Sequence, residues 1–215
     1  DLHTAYRRQR QMCIRYRSRA VLHSALRSLE NDEVNSTLNK IIKISDEINS
    51  AKRLGFSGKK ITDVVNIGIG GSHLGPEMVT KALSYYSKDI VPHFISNIDP
   101  DFTSKLLEKL NPETTIFIIV SKTFSTIETL ENANKIRTWF IDNASEDYIK
   151  DHFISISNNT EAPKKFGVSS ENILSIPEWV GGRFSLWGSV GLVISLVIGS
   201  ENFNDFLKGA NKMDI

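Results

Sequence analysis

The sequence has little cysteine and no long apolar run, and each shortage excludes a class of protein. Its 215 residues include one cysteine, Cys13, which cannot form a disulfide within the chain. A disulfide scaffold is therefore excluded. The sequence shows no apolar N-terminal segment followed by a cleavage site, so nothing in it suggests secretion. The uncharged stretch 184–200 is interrupted by glycines and serines, so it falls short of the roughly 20 apolar residues of a membrane span. It is better explained as a buried helix, and we expect a cytoplasmic protein that binds no membrane.

Metal-ligand spacing and a large net charge are also missing. The five histidines are scattered without an H-x-x-x-H pattern, so we expect no metal site and interpret His23 and His152 as core or surface residues. The net charge of +1 gives no reason to expect a nucleic-acid partner. Residues 1–19, however, carry six arginines and one aspartate. We leave this segment unassigned and interpret it as disordered or non-native, the alternative being a basic arm for RNA or acidic membrane.

Hydrophobic periodicity organises the rest of the chain. Residues 20–57 have helical spacing and form a helical lead-in, and residues 58–215 alternate between strands and helices, which is typical of an α/β fold with a parallel, doubly wound sheet. The run IFIIVS is apolar on both faces, as a central strand covered by helices must be. Strands are predicted at 63–69, 90–95, 115–120, 152–157 and 173–176, and helices at 76–84, 101–110, 126–141, 161–166, 188–198 and from 201 onward.

A glycine-rich loop follows the first predicted strand. The sequence VVNIGIGGSHLGP places Gly68, Gly70, Gly71 and Gly75 between a strand and a helix, where they allow the backbone to approach a ligand. His73 stands where the third glycine of the dinucleotide fingerprint would be, and the P-loop lysine is missing. A tight turn without a ligand is the alternative interpretation.

A second loop, SKTFSTIETLENA, follows the most hydrophobic strand. It combines a positive charge at Lys122 with the hydroxyls of Ser121, Thr123, Ser125 and Thr126 at the start of a helix, which is the combination that binds phosphate. The alternative is helix capping, since Ser125 and Glu128 have the spacing of a capping box.

A third segment, WVGGRFSLWGSVGL, places Arg183 after two glycines and among aromatic residues. A cation in such surroundings needs an anionic partner. The partner could be a ligand, or Arg183 could pair with Glu178 or stack on Trp187.

Together these segments resemble the glucose-6-phosphate isomerase (phosphoglucose isomerase) family, whose fold contains sugar-isomerase (SIS) domains. The resemblance rests on VLHSALR, GKKITDVVNIGIGGSHLGPEMV, HFISNID, SKTFSTIETLENA and WVGGRFSLWGSVGL, which occur in the family's order from about Arg19 to the end. It implies interconversion of glucose 6-phosphate and fructose 6-phosphate through an enediol, in glycolysis and gluconeogenesis. It also implies a homodimer, a sugar-phosphate ligand, and neither a cofactor nor a metal.

The resemblance also implies roles for individual residues. Gly71 and Ser72 would contact the sugar phosphate, and Gly182 and Arg183 would lie by the reacting carbons. Glu128 would orient a catalytic histidine outside this chain, and the role of His73 stays open, because many family members carry aspartate there. The phosphate loop would consist of Ser121, Lys122 through its backbone, Thr123 and Thr126.

The family's general base and its assisting histidine and lysine belong to a second SIS domain that follows the segments matched here. We therefore expect the 215 residues to recognise substrate without turnover. A non-catalytic SIS module that senses a sugar phosphate is the alternative, although a sensor has no need for Arg183. A nucleotide-binding domain is disfavoured because both nucleotide fingerprints fail.

Overall fold

A parallel five-stranded sheet forms the centre of the molecule, which we describe from a computed structural model covering residues 23–28 and 31–214. The basic segment 1–19 and its predicted disorder lie outside these residues. The strand order is β2-β1-β3-β4-β5, and every neighbouring pair is parallel. The strands are β1 (Asp63–Ile67), β2 (Val91–Ile95), β3 (Thr115–Val120), β4 (Phe153–Ile156) and β5 (Ile173–Leu174).

Helices connect the strands and follow the sheet. They are α1 (Asp32–Asn49), α2 (Leu74–Ala82), α3 (Pro100–Leu107), α4 (Ile127–Asn143), α5 (Ile149–His152), α6 (Glu161–Phe166), α7 (Leu192–Ile198) and α8 (Ser200–Asp214). Short 3-10 helices lie at His23–Leu26, Gly70–Ser72, Ser84–Tyr86, Glu146–Tyr148, Ser170–Asn172, Gly182–Trp187 and Ser189–Gly191. In the described part of the chain, no helix is both long and apolar enough to cross a bilayer.

The sheet is buried on both faces, as the apolar run of β3 predicts. Ile116 and Ile118 pack into one hydrophobic cluster, and Phe117 and Ile119 pack into the other. Successive strand side chains point to opposite faces, so each face carries its own core. The first core also contains residues of α1, α7 and α8, so the helical lead-in shares a core with the sheet domain. The predicted doubly wound α/β fold is confirmed.

The predicted elements are present, but several of their bounds differ. β1 ends at Ile67, because the chain turns at Gly68. β5 has two residues instead of four, since the Ile176 N–H donates to Asn158 Oδ1 (2.7 Å) and not to a strand carbonyl. The predicted helix 188–198 begins as a 3-10 turn and becomes α7 at Leu192. All seven α7 residues are buried, so the uncharged stretch does contain a buried helix.

The strand order places a topological switch point between β1 and β3. The chain leaves β1 toward β2 on one side, and then returns to form β3 on the other side of β1. In open sheets of this order, ligands bind beyond the carboxyl ends of the two strands at the switch. The glycine-rich loop and the hydroxyl-rich loop follow these two strands, so the fold brings them to one edge of the sheet.

Candidate functional site

The glycine-rich loop packs directly against the end of β3. A Cβ added at Gly68 would lie 2.8 Å from the Ser72 Cβ and 3.1 Å from the Val120 carbonyl oxygen. The loop then forms the 3-10 turn Gly70–Ser72, in which Gly70 has a φ of +61°. Gly68 therefore allows the two loops to approach, and it places Ser72 beside the strand end that leads into Ser121.

The arginine-bearing segment meets the same loop at Gly71. A Cβ at this position would overlap the carbonyl group of Gly182 and would lie 2.8 Å from the Arg183 backbone nitrogen. Only a glycine allows this close approach between two backbones. The structure thus brings Gly71, Ser72, Gly182 and Arg183 together, although more than 100 residues of sequence separate the two pairs.

Arg183 is exposed, and its guanidinium carbon lies 4.8 Å from the centre of the Phe184 ring. Neither local alternative considered for this residue is present. Among the described residues it forms no ion pair with Glu178, and Trp187 is covered by Arg27 at 4.9 Å. The Phe184 ring is itself stacked on His23, with ring centres 3.8 Å apart. The Arg183 charge is held on an aromatic face without a carboxylate partner in the described residues, so it can meet an anionic ligand.

The hydroxyl-rich loop is a turn with an unusual backbone. Phe124 has a φ of +52°, and its N–H donates to the Ser121 carbonyl oxygen (3.0 Å). Its side chain is buried and contacts Phe166. Because Phe124 turns inward, the neighbouring Thr123 and Ser125 are exposed, with their hydroxyl oxygens 2.6 Å apart.

The capping box of Ser125 and Glu128, which was the alternative interpretation of this loop, is not present. The N-cap of α4 is Thr126 instead of Ser125, and its side chain makes no capping hydrogen bond. Its hydroxyl oxygen lies 3.1 Å from the hydroxyl oxygen of Ser121 instead. The helix begins at Ile127, one residue later than the capping box requires, so the spacing from Ser125 to Glu128 does not span the cap. The first N–H groups of a 17-residue helix are consequently without a side-chain cap at the switch point.

Glu128 lies in the first turn of α4 and is half-buried. In the described part of the chain its carboxylate has neither a hydrogen-bond nor an ion-pair partner. This arrangement is compatible with the expectation that the Glu128 carboxylate contacts a histidine from outside this chain.

The Lys122 ammonium contacts another segment of the chain. It donates to the carbonyl oxygens of Pro177 (3.2 Å), Glu178 (3.1 Å) and Val180 (3.4 Å). The sequence argument that this charge itself faces a phosphate is therefore wrong, whereas a backbone role for Lys122 is compatible with the turn.

Two contributors to the site were missed from the sequence. Asn66 is fully buried in β1, and its Nδ2 donates to the Ser72 carbonyl oxygen (2.9 Å), which fixes the 3-10 turn. An amide within the apolar run VVNIGI was a signal that could have identified it, because a buried amide needs a hydrogen-bond partner. The left-handed Phe124 gave no such signal.

His73, the histidine of the glycine-rich loop, has a partner within the next helix. His73 Nε2 lies 2.9 Å from a carboxylate oxygen of Glu77, one turn later. Hydrogen bonding by Lys81 lowers the pKa of Glu77 despite partial burial, and the charge of His73 acts in the same direction. Among the described residues, no group of three or more His, Cys, Asp and Glu side chains is arranged to hold a metal ion.

Comparison with known proteins identifies a family for this chain. The sequence profile of the family "Phosphoglucose isomerase" matches residues 3–215. The glucose-6-phosphate isomerase of Christiangramia forsetii is 47% identical over 208 residues, which is 92% of this chain and 38% of the relative. That of Saccharophagus degradans is 47% identical over 204 residues, covering 91% of this chain and 37% of the relative. The chain thus spans less than two fifths of the length of these relatives.

Solved structures give the same result. A glucose-6-phosphate isomerase from Chlamydia trachomatis superimposes with a TM-score of 0.80 at 27% sequence identity, covering 92% of this chain and 39% of that one. The profile match covers nearly all of the sequence, and the parallel α/β fold superimposes on a solved structure of the same family. This chain therefore belongs to the phosphoglucose isomerase family.

Proposed function

We propose that this chain carries the phosphate-binding part of a site that interconverts glucose 6-phosphate and fructose 6-phosphate. The observation that carries the proposal is the meeting of three segments at the switch point. The uncapped start of α4 lies there, Gly68 touches the end of β3, and Gly71 touches the backbone of Gly182 and Arg183. Backbone N–H groups and hydroxyls thereby meet at one edge of the sheet, and the backbone of Arg183 joins them there.

The phosphate would lie on the hydroxyl-rich turn. Ser121, Thr123 and Thr126 supply hydroxyl donors, and the Lys122 backbone and the first turn of α4 supply N–H groups. Ser72 would contribute from the glycine-rich loop. A helix start favours an anion because its N–H groups are unpaired and its dipole is positive at that end. The phosphate is remote from the reacting carbons, so it provides binding energy and position.

Arg183 would act at the other end of the sugar. Isomerisation moves a proton between C1 and C2 through an enediol. Negative charge develops on the oxygen of the sugar's carbonyl group as the enediol forms. A guanidinium held on the Phe184 ring stabilises this charge more in the transition state than in the ground state. Glu128 would orient a histidine supplied from outside these residues.

The general base is assigned to the second SIS domain, which the family resemblance places after the segments present here. We therefore infer that the 215 residues bind a sugar phosphate without turning it over. The family relation also underlies our proposals that the whole enzyme is a cytoplasmic homodimer of glycolysis and gluconeogenesis.

Calorimetric titration tests the proposal. We expect the chain to bind 6-phosphogluconate and inorganic phosphate, but not gluconate, NAD or ATP. Arg183→Met should weaken 6-phosphogluconate binding about tenfold to a hundredfold, because a hydrogen bond to a charged group is worth about 1.5–3 kcal/mol. Binding of inorganic phosphate should stay unchanged. Binding of NAD or ATP alone would contradict a sugar-phosphate site, and fructose 6-phosphate formation by this chain would contradict the assignment of the base.

A further inference from the structure

Lys122 joins two loops that are remote in sequence. Its ammonium donates to three backbone carbonyl oxygens, those of Pro177 (3.2 Å), Glu178 (3.1 Å) and Val180 (3.4 Å). An ammonium has three N–H donors, so it can serve all three of these acceptors. The side chain thus holds the segment that leads into Gly182 and Arg183.

The backbone of Lys122 makes a second connection toward the same segment. Its carbonyl oxygen accepts hydrogen bonds from the Asn158 N–H (2.9 Å) and the Ser157 hydroxyl (3.2 Å). Asn158 in turn uses its Oδ1 to accept from the Ile176 N–H (2.7 Å). Segment 176–180 is therefore held at its start through Asn158 and at its end by the ammonium.

The held segment continues directly into the arginine-bearing turn. Val180 is buried, and the Gly181 N–H donates to His23 Nε2 (3.1 Å). The 3-10 helix Gly182–Trp187 begins at the next residue. Fixing the carbonyls at 177–180 therefore limits where Gly182 and Arg183 can lie, because only a short stretch of chain separates them.

We propose that Lys122 is a positioning residue that couples the hydroxyl-rich loop to Arg183. The proposal deepens the function proposed above and rests on it. A phosphate bound to the turn would order the Lys122 backbone, and its side chain would transmit that order to segment 177–180. The ammonium itself makes no contact with the phosphate. Binding of the phosphate is then coupled to placement of the Arg183 guanidinium, although the two ends of the sugar contact different segments.

The first test needs no ligand. Lys122→Met keeps most of the aliphatic stem and removes the N–H donors. We expect backbone amides at 181–187 to exchange with deuterium about tenfold faster in this variant, because local opening costs less free energy once the three hydrogen bonds are gone. Amides of β1 and β3 should exchange as in the unmodified chain. Unchanged exchange at 181–187 would overturn the proposal.

The matched control is Lys135→Met. The Lys135 ammonium also donates to a backbone carbonyl, that of Pro100 (2.6 Å), and to the Ser104 hydroxyl (2.8 Å), but it connects α4 to α3 away from the loops. This control should leave exchange at 181–187 unchanged. If Lys122→Met does not fold, as judged by circular dichroism, Lys122→Gln, which keeps one amide donor group, is measured in the same way.

The second test uses ligands and a double-mutant cycle. Lys122→Met should bind inorganic phosphate within about twofold of the unmodified chain but lose about tenfold for 6-phosphogluconate, equivalent to about 1.4 kcal/mol. Arg183→Met should then cost much less in the Lys122→Met background than alone, since coupled residues are not additive.

The outcomes are distinguishable. An equal loss for both ligands would make Lys122 a direct phosphate contact and overturn the proposal, as would additive effects of the two substitutions. If the unmodified chain binds neither ligand, the function proposed above fails and the coupling to a sugar phosphate fails with it. The exchange measurement then still decides whether Lys122 holds the arginine-bearing segment.

Discussion

At the scale of single residues, His152 shows how burial determines a protonation state. The ring is fully buried, its Nδ1 lies 2.7 Å from the Thr115 carbonyl oxygen, and its Nε2 accepts from the Phe56 N–H (2.9 Å). An N–H that faces Nε2 requires the proton to be on Nδ1, so the ring is neutral. Burial lowers the pKa of His152, although the hydrogen bond to Thr115 acts in the opposite direction. The sequence left open whether His152 is a core or a surface residue, and the structure places it in the core.

This histidine predicts a pH-dependent stability. In the unfolded chain histidine has a pKa of about 6.5, whereas in the folded chain the pKa of His152 is lower. As the pH falls below the unfolded value, only the unfolded chain gains the proton, so the free energy of unfolding falls until the folded pKa is reached. The slope from this residue is at most about 1.4 kcal/mol per pH unit.

Urea unfolding between about pH 7.5 and pH 5.5 measures this slope. His152→Gln should be less stable at the higher pH but should lose less stability on acidification. The other histidines are common to both proteins, so the difference in slope reports His152. Equal slopes in the two proteins would show that the ring accepts a proton in the folded state.

At the scale of elements, the helix starts differ in how they are capped. In α1 the Asn31 side chain accepts from the Val34 N–H, and in α3 the Asp99 side chain accepts from two N–H groups. The start of α4 has no such side-chain cap, although it is the longest helix that begins at the switch-point edge. The helices α2, α5, α6 and α7 also begin without a side-chain cap, so the missing cap of α4 alone does not identify a ligand site. It leaves N–H groups that the phosphate of the proposed function would bind.

Thr126→Asp tests this contrast between stability and binding. A carboxylate at the N-cap should satisfy the free N–H groups and raise the thermal midpoint without ligand, corresponding to about 1 kcal/mol. The same carboxylate should repel phosphate, so the rise in thermal midpoint caused by phosphate should disappear. Asn31→Asp is the control, because it changes a cap that is already occupied. A Thr126→Asp protein still stabilised by phosphate would place the anion elsewhere.

At the scale of the whole molecule, one ion pair joins distant parts of the chain. Arg27 Nε and Nη2 donate to the two carboxylate oxygens of Asp214, at 2.7 and 2.6 Å. The guanidinium also lies over Trp187, which is stacked on Phe206 with ring centres 4.4 Å apart. The N-terminal turn, the end of the arginine-bearing turn and the last helix are thus held together.

Asp214→Asn should therefore lower the free energy of unfolding by about 1–3 kcal/mol, because it leaves a mostly buried guanidinium without its charged partner. Asp205→Asn is the matched control. Asp205 pairs with Lys208 on the same helix at 2.9 Å, but both side chains are more than half exposed. An exposed pair contributes less than about 1 kcal/mol. Chemical denaturation measures both variants, and equal losses would show that the Asp214 pair is only a surface contact.

Much of the fold was predictable because it is encoded locally. The apolar run of β3 predicted a strand covered on both faces, and the alternation of strands with helical spacing predicted a parallel sheet. The ends of elements were less predictable, since β5 stops where the Asn158 side chain takes the Ile176 N–H. The Ser125–Glu128 capping box, an alternative that the sequence offered, is absent because α4 starts one residue later than that box requires. The end of β5 arises from a contact between segments, which the local sequence does not contain.

The sequence alone determined the class of the fold, the family, and which three segments carry glycine, hydroxyl and arginine chemistry, because composition and spacing are local properties. Tertiary structure alone decided how these segments meet. The Lys122 ammonium finds carbonyl oxygens 55 to 58 residues away, and Gly71 faces Gly182 across two loops. Such partners depend on the strand order and on the burial of one segment against another, which local spacing does not contain.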